Sequence, residues 1–378
     1  MKTFLISVAV LFAININIFS QNLIVVQNGS NLSFYERIDS AIVHSNNGDT
    51  IYLPGMIQTV TFLRINKKLT ILGAGHNPDS TTATNYSKII GPIQFVNGSN
   101  YSMLSGIYCD DIQFGTDSTN SAVNNISIIR CNLNNISFFL GGAACNFNQT
   151  AIVTSIGPAS NNRFIGNIVR GNVNLGFTAN NQVLNNIITG QSVYFGNNNL
   201  ISNNIFLYHG FNTMCGFNTC TFPIGASNNS TIQNNIFIST GTATSIGANF
   251  VCVHYTSTSM YLGPDGCSFN NNIFCSADPG ISSCGTCFSS GNYLSVIPTN
   301  IFVNQSGNTF GYTQNYHLQN APSFSGTDAT QVGIYGGLFP WKEGSVPVNP
   351  HIQFKNIGSS TDPNGNLQLN IRVKAQNN

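Results

Sequence analysis

Phe164-Ile165-Gly166-Asn167-Ile168, Val183-Leu184-Asn185-Asn186-Ile187, Ile201-Ser202-Asn203-Asn204-Ile205, Ile232-Gln233-Asn234-Asn235-Ile236 and Phe269-Asn270-Asn271-Asn272-Ile273 are copies of one phrase. Each is an apolar residue, two variable positions, an asparagine and a second apolar residue. Ile129-Arg130-Cys131-Asn132-Leu133 reads as a further copy. Successive asparagines are 35, 19, 18, 31 and 37 residues apart. That spacing suits a solenoid of about 18 to 25 residues per coil, with insertions or unmarked coils between some copies.

Helical repeats of this length need long amphipathic segments with apolar spacing of three and four, and none is present. The apolar runs are short, rich in Ile, Val and Phe, and broken by Asn, Gly and Ser, as strands between tight turns are. An asparagine at such a turn takes positive φ at little cost and bonds through its amide. Stacked coil upon coil, these amides are expected to pair with one another in an asparagine ladder.

The N-terminal part reads Leu23-Ile24-Val25-Val26, then Tyr35 to Ile42, then Gly48-Asp49-Thr50-Ile51-Tyr52-Leu53-Pro54, then Leu69-Thr70-Ile71-Leu72-Gly73-Ala74-Gly75. Tyr35, Ile38, Ala41 and Ile42 share one helical face, which predicts a short helix. With the asparagine phrases, this order resembles the right-handed parallel β-helix of exported bacterial pectin-lyase-like proteins. The resemblance implies an all-β, single-stranded right-handed parallel β-helix solenoid with an N-terminal capping helix. It does not fix an activity, because the fold hosts many.

Met1-Lys2, the apolar run from Phe4 to Ala13 and Ser20 read as a secretory signal over 1–20, so the chain is expected to be secreted or displayed outside the cell. Residues 21–330 are assigned to the β-helix with its cap, and 331–378 to a C-terminal cap or an anchoring or export segment. In the latter, Leu367, Leu369, Ile371 and Val373 alternate with polar residues after the turn Asp362-Pro363-Asn364-Gly365-Asn366, which predicts a half-buried hairpin. Residues 141–160 and 207–230 break the rhythm and are expected as loops. No stretch is long and apolar enough for a membrane-spanning helix.

Only 7% of the 378 residues are charged, against about a quarter in ordinary domains. Between Arg170 and Lys342 there is no lysine or arginine, and the acids are Asp265, Asp278 and Asp328. Nucleic-acid binding needs clustered cations and is excluded. The same desert disfavours acidic sugars along those coils and points to a neutral polysaccharide or cell-surface glycan as partner. Tyr194, Tyr208 and Phe211, with Phe195 and Phe217, lie in or beside the interruptions and are candidates for stacking on sugar rings; core packing is the plainer use of such residues.

Ten cysteines in an exported chain suggest disulfides or buried thiols. Cys109 and Cys131 are about one coil apart and are expected in the core. Cys284-Gly285-Thr286-Cys287 has the spacing of a zinc half-site; Cys252 with His254 is the one visible supplement, and disulfides or buried thiols are the plainer reading, so no metal is assigned.

Glycan cleavage, which the resemblance raises, needs paired carboxyl groups for hydrolysis or a base for elimination, the latter with calcium as a cofactor. Asp110-Asp111 is the adjacent acidic pair, and Arg130 is the cation about one coil away; an ordinary ion pair explains the three equally well. His209-Gly210 is 99 residues from this pair, about five coils or roughly 24 Å up a rod, and Arg372-Val373-Lys374 sits in the tail. The chain is therefore read as an exported structural or glycan-associated β-helix without a well-formed catalytic site. A polysaccharide lyase or glycoside hydrolase centred on Asp110, Asp111 and Arg130 is the alternative. Oligomeric state is not legible.

Overall fold

The computed structural model describes residues 23–116, 122–138, 159–175, 178–190, 193–194, 196–208, 228–239, 265–281, 286–347 and 350–374. The coil begins at Thr50–Leu53, against which Ile24–Asn28 pairs antiparallel, with Asn31–Tyr35 outside that. The helix Ile38–His44 buries Ile38, Ala41 and Ile42, three of the four positions on its predicted face. Gln58 closes the helix start by accepting from the Ile38 N–H at 3.1 Å.

Above this cap the chain winds as a parallel β-helix, each strand pairing in parallel with its counterpart one coil on. Sheet 1 runs through Thr50–Leu53, Thr70–Gly73, Met103–Ser105, Ser127–Ile129, Arg163–Ile165, Gln182–Leu184, Leu200–Ser202, Thr231–Gln233, Ser268–Asn270 and Phe288–Ser290. Sheet 2 stacks Ile57–Thr59, Lys88–Ile90, Tyr108–Cys109, Asn132–Leu133, Ile168–Val169, Ile187–Ile188, Ile205–Tyr208, Ile236–Ser239 and Ile273–Phe274. Sheet 3 stacks Leu63–Ile65, Ile93–Phe95, Ile112–Phe114, Ile136–Phe138, Val173–Asn174 and Val193–Tyr194. We number the coils from the one that opens with Thr50–Leu53.

Strands of two to four residues suffice because inward side chains stack on their own kind. Phe95, Phe114 and Phe138 are register partners whose rings lie 5.6 and 4.3 Å apart. Phe206, Phe237 and Phe274 repeat this in sheet 2 at 4.7 and 4.8 Å. Each buried ring contributes about 1.5–3 kcal/mol of transfer free energy, and an offset stack adds about 0.5–1.5 kcal/mol.

The corner between sheets 1 and 2 is built from two adjacent residues with separate tasks. The first turns the chain in the left-handed region: Gly106, Arg130, Gly166, Asn185, Asn203, Asn234, Asn271 and Gly291 all have φ between 50° and 70°. Gly and Asn reach that conformation cheaply, whereas Arg130 does so against its Cβ. The second residue points inward and bonds from coil to coil. Asn186 Oδ1 accepts from the Asn167 backbone N–H at 2.8 Å and from Asn167 Nδ2 at 3.0 Å. The pattern repeats through Asn204, Asn235, Asn272 and Asn292. Ser127–Ile129 pairs with Arg163–Ile165, which sets Cys131 rather than Asn132 level with Asn167. The copy at 129–133 is therefore out of phase by one residue. A second inward column at the corner entering sheet 1 runs through Asn162, Asn181 and Asn199 and closes on Ser230.

From Tyr293 the chain leaves the coil and returns down the outside of the rod. Ser325 O accepts from Asn271 in coil 9, and Thr327 binds Asn234 in coil 8. Gly333 O accepts from Asn203 in coil 7, and Ile334 O and Gly336 O accept from Asn185 in coil 6. Phe339 lies 5.3 Å under the Arg163 guanidinium, and Val346 O accepts from Arg130 at 3.0 Å. A Cβ on Gly106 in coil 3 would meet the Pro347 ring at 2.9 Å. Ile301, Phe302, Tyr316, Leu318, Val332 and Ile334 of this tail form a second core with the outward Ile187, Ile205, Leu207, Ile236, Ile238 and Ile273 of sheet 2.

The terminal hairpin His351–Thr361 with Leu367–Lys374 is antiparallel, as the alternation predicts, but it is not half-buried. Its apolar row is open, Leu369 being 60% and Val373 57% exposed, because none of the described residues covers that face. Nor does it lie over the last coil: it sits beside Asp79–Thr81, in coil 2. Residues 1–22 and most of 141–160 and 207–230 lie outside the described residues. Among the described residues no helix is long and apolar enough to cross a membrane.

Candidate functional site

Strand register turns sequence positions into a vertical column on the outer face of sheet 2. From bottom to top it reads Ile57, Lys88, Tyr108, Asn132, Ile168, Ile187, Ile205, Ile236 and Ile273. The upper isoleucines from Ile187 onward pack under the returning tail. The lower part changes character: Ile57 is 55% exposed, Lys88 and Tyr108 are half-buried, and Asn132 is buried against the tail.

Arg170 joins this lower group from the corner of coil 5. Its side chain turns down the rod, donating from Nε to Asn132 Oδ1 at 2.9 Å and from Nη2 to Cys109 O at 3.0 Å. The guanidinium carbon comes to 4.5 Å from the Tyr108 ring centroid, and Lys88 Nζ to 4.8 Å from the same centroid. Two cations thus share one aromatic platform, within about 10 Å of each other. Among the described residues the ion pairs are Arg37–Asp39 and His317–Glu343, so neither Lys88 nor Arg170 is neutralised by a direct acidic partner. Nη1 and the second N–H of Nη2 of Arg170, and the Lys88 ammonium, have no protein acceptor among those residues. Such donors, fixed over a ring, suit a carboxylate or sulfate.

The wall of the site is supplied by the tail. Tyr312 Oη accepts from Asn132 Nδ2 at 2.9 Å and lies 2.8 Å from His76 Nδ1 and 3.1 Å from His76 O. His76 is 1% exposed, and burial pulls its pKa down from the ordinary 6.5 to about 3. Burial likewise pushes the Tyr312 phenol up to about 12, beyond what the Asn132 hydrogen bond offsets. At neutral pH both groups are uncharged. Neither is suited to take a proton from a sugar carbon, because the phenol is protonated and the imidazole is sealed against it.

Asp110 and Asp111 form the turn between sheets 2 and 3 in coil 3, and their carboxylates bond to the coils on either side. Asp110 accepts from the Gly91 N–H at 2.8 Å, below. Asp111 Oδ1 accepts from Asn134 Nδ2, Asn135 N and Asn135 Nδ2 at 2.9, 3.2 and 2.8 Å, above. Arg130 occupies the other corner, between sheets 1 and 2, and donates to Val346 O; burial lowers its pKa. The structure brings the two acids together but sets Arg130 on a different edge of the rod from them. Tyr194 and Tyr208 end strands in sheets 3 and 2, and their side chains, like all of Phe211, lie outside the described residues.

Cys109 and Cys131 are buried free thiols, with Cys131 pushed up to about 12 by burial. Cys267 is likewise buried, and Cys287 is disulfide-bonded. A cysteine in a disulfide has no thiolate to give zinc.

Lys88, Tyr108, Asn132 and Arg170 were recoverable in principle by stepping one coil at a time from Ile168. Tyr312 was not, because no repeat connects the tail to coil 4.

No protein-family model matches the chain, and no curated protein does. Among solved structures it is similar to a PL6 alginate lyase in complex with a trisaccharide, at 12% identity over 80% of this chain and 90% of that one, with a TM-score of 0.28. Likeness at this level says nothing of activity, and the parallel β-helix described above stands on its own strand pairing.

Proposed function

We propose that this is an exported carbohydrate-associated protein that binds an acidic polysaccharide on the outer face of coils 2 to 5. The observation that carries this reading is the pair of cations, Lys88 and Arg170, held 4.8 and 4.5 Å from the Tyr108 ring centroid without an acidic partner among the described residues. A carboxylate at about 4 Å from one such charge gains about 1 kcal/mol in water and about 4 kcal/mol at a partly screened surface. Two cations on a rigid sheet gain this without reorganising. The expectation of a neutral partner rested on the charge desert above Arg170, and this patch lies below it. The leader-like residues 1–20 supply the exported setting.

Binding is favoured over cleavage because Asp110 and Asp111 already brace neighbouring coils and His76 and Tyr312 are poor bases. The test is calorimetric titration with polygalacturonate, alginate and neutral polymers such as galactan. An acidic polymer is expected to bind, to lose about tenfold in affinity in Lys88→Ala or Arg170→Ala, and to weaken as salt is raised. Unsaturated or reducing ends released by the wild type but not by Asp110→Ala or Lys88→Ala would replace binding by cleavage. Equal affinity for galactan would remove the acidic specificity.

A further inference from the structure

We infer that Tyr312 is a positioning residue for this patch, so that the returning tail completes a site whose cations it does not itself carry. This rests on the acidic-glycan reading for its purpose but not for its geometry. Four side chains are wired in series. Tyr312 Oη meets His76 at Nδ1 and O, accepts from Asn132 Nδ2, and Asn132 Oδ1 accepts from Arg170 Nε. The Arg170 guanidinium then lies over Tyr108.

The direction of control follows from the amide of Asn132. It has one acceptor end and one donor end, and Arg170 can use only the acceptor. With the phenol oxygen in place, Nδ2 has a partner and Oδ1 must face Arg170. Without it, the buried Nδ2 is left unpaired, and turning the amide over sets N–H groups against N–H groups. His76 fixes the phenol in turn. Its ring is sealed and its Nε2 has no hydrogen-bond partner among the described residues, which is unfavourable for the fold. The two contacts it keeps are both to Tyr312. Phe310 braces the Tyr312 ring edge-on at 4.9 Å, so removing the hydroxyl alone leaves the packing in place.

The experiment uses the full-length protein with 15N-labelled arginine. There are six arginines, and Arg170→Lys identifies the Arg170 Nε–H signal. In Tyr312→Phe that signal is expected to shift and to exchange faster with water, while those of Arg64 and Arg163 stay in place. Affinity for tetragalacturonate is expected to fall about tenfold. Adding Asn132→Asp, which offers Arg170 an oxygen in either orientation, should restore the signal in the Tyr312→Phe background; a merely structural role for Tyr312 would not be rescued this way. An Arg170 signal indifferent to Tyr312→Phe overturns the inference. Failure of the wild type to bind any acidic glycan would instead sink the binding reading, leaving the arginine signal to decide the positioning by itself.

Discussion

Asn204 shows how much the corner columns depend on one amide. It donates to Val183 O and to Asn235 Oδ1, and its own Oδ1 accepts from the backbone and side chain of Asn186. It is fully buried, so Asn204→Leu strands at least two polar groups in a dry interior. At about 1–3 kcal/mol for each group left unpaired, we expect a loss of about 3 kcal/mol or more, read as a lower urea midpoint at unchanged slope. The same change at the exposed Asn364 should leave the midpoint in place. His76 gives a second outcome at this scale. Its folded pKa of about 3 lies below the ordinary 6.5, so the unfolded chain binds the proton more tightly. The stability tied to the neutral ring is intact above pH 6.5 and is lost as pH falls from there towards 3, by up to about 1.4 kcal/mol per pH unit. Melting curves at pH 7 and pH 5 should therefore converge in His76→Gln relative to wild type. Equal acid sensitivity in the two proteins would assign the loss to other groups.

At the scale of elements, the strands were legible because Ile, Val and Phe recur at a coil's spacing. The asparagine phrases marked the right corner. What the pattern hid is that left-handed turning and amide bonding fall on neighbouring positions. In Asn185-Asn186, Asn203-Asn204, Asn234-Asn235 and Asn271-Asn272 both are asparagine, whereas Gly166-Asn167 and Gly291-Asn292 separate them by type. That ambiguity let Asn132 stand in for Cys131. The site was hidden for a different reason: coil lengths vary by the insertions between them, so Lys88, Tyr108, Asn132 and Arg170 are neighbours only once register is known. The alternation Leu367 to Val373 gave the hairpin but not its surroundings, because alternation reports two unlike faces and not what covers the apolar one. Since that face is open, a chain ending at residue 347 should melt within about 2 °C of the full protein and bind less of a hydrophobic dye. A drop of about 10 °C would mean that the hairpin packs on the body of the molecule in solution.

At the scale of the whole molecule, coils of a solenoid touch only their neighbours, and a long stack tends to lose cooperativity, opening from its weaker end. The returning tail opposes that tendency. It bonds in turn to coils 9, 8, 7 and 6 through Asn271, Asn234, Asn203 and Asn185, and reaches coil 4 at Arg130. Through Tyr312 it also holds coils 2 and 4. Coils far apart in the stack are thereby made to share one element, so opening any of them strips partners from the others. The six outward Ile and Leu side chains that the tail covers contribute of order 10 kcal/mol at about 1.5–3 kcal/mol each, so the coupling is strong as well as long. We therefore expect the full chain to unfold in one step, with circular dichroism and Trp341 fluorescence coincident. Ile334→Asp places a charge under the tail between coils 6 and 8 and should separate the two probes: the tryptophan transition moves to lower urea while much of the strand signal persists. If both probes still move together in Ile334→Asp, the stack is cooperative without its tail, and the coupling resides in the coils themselves.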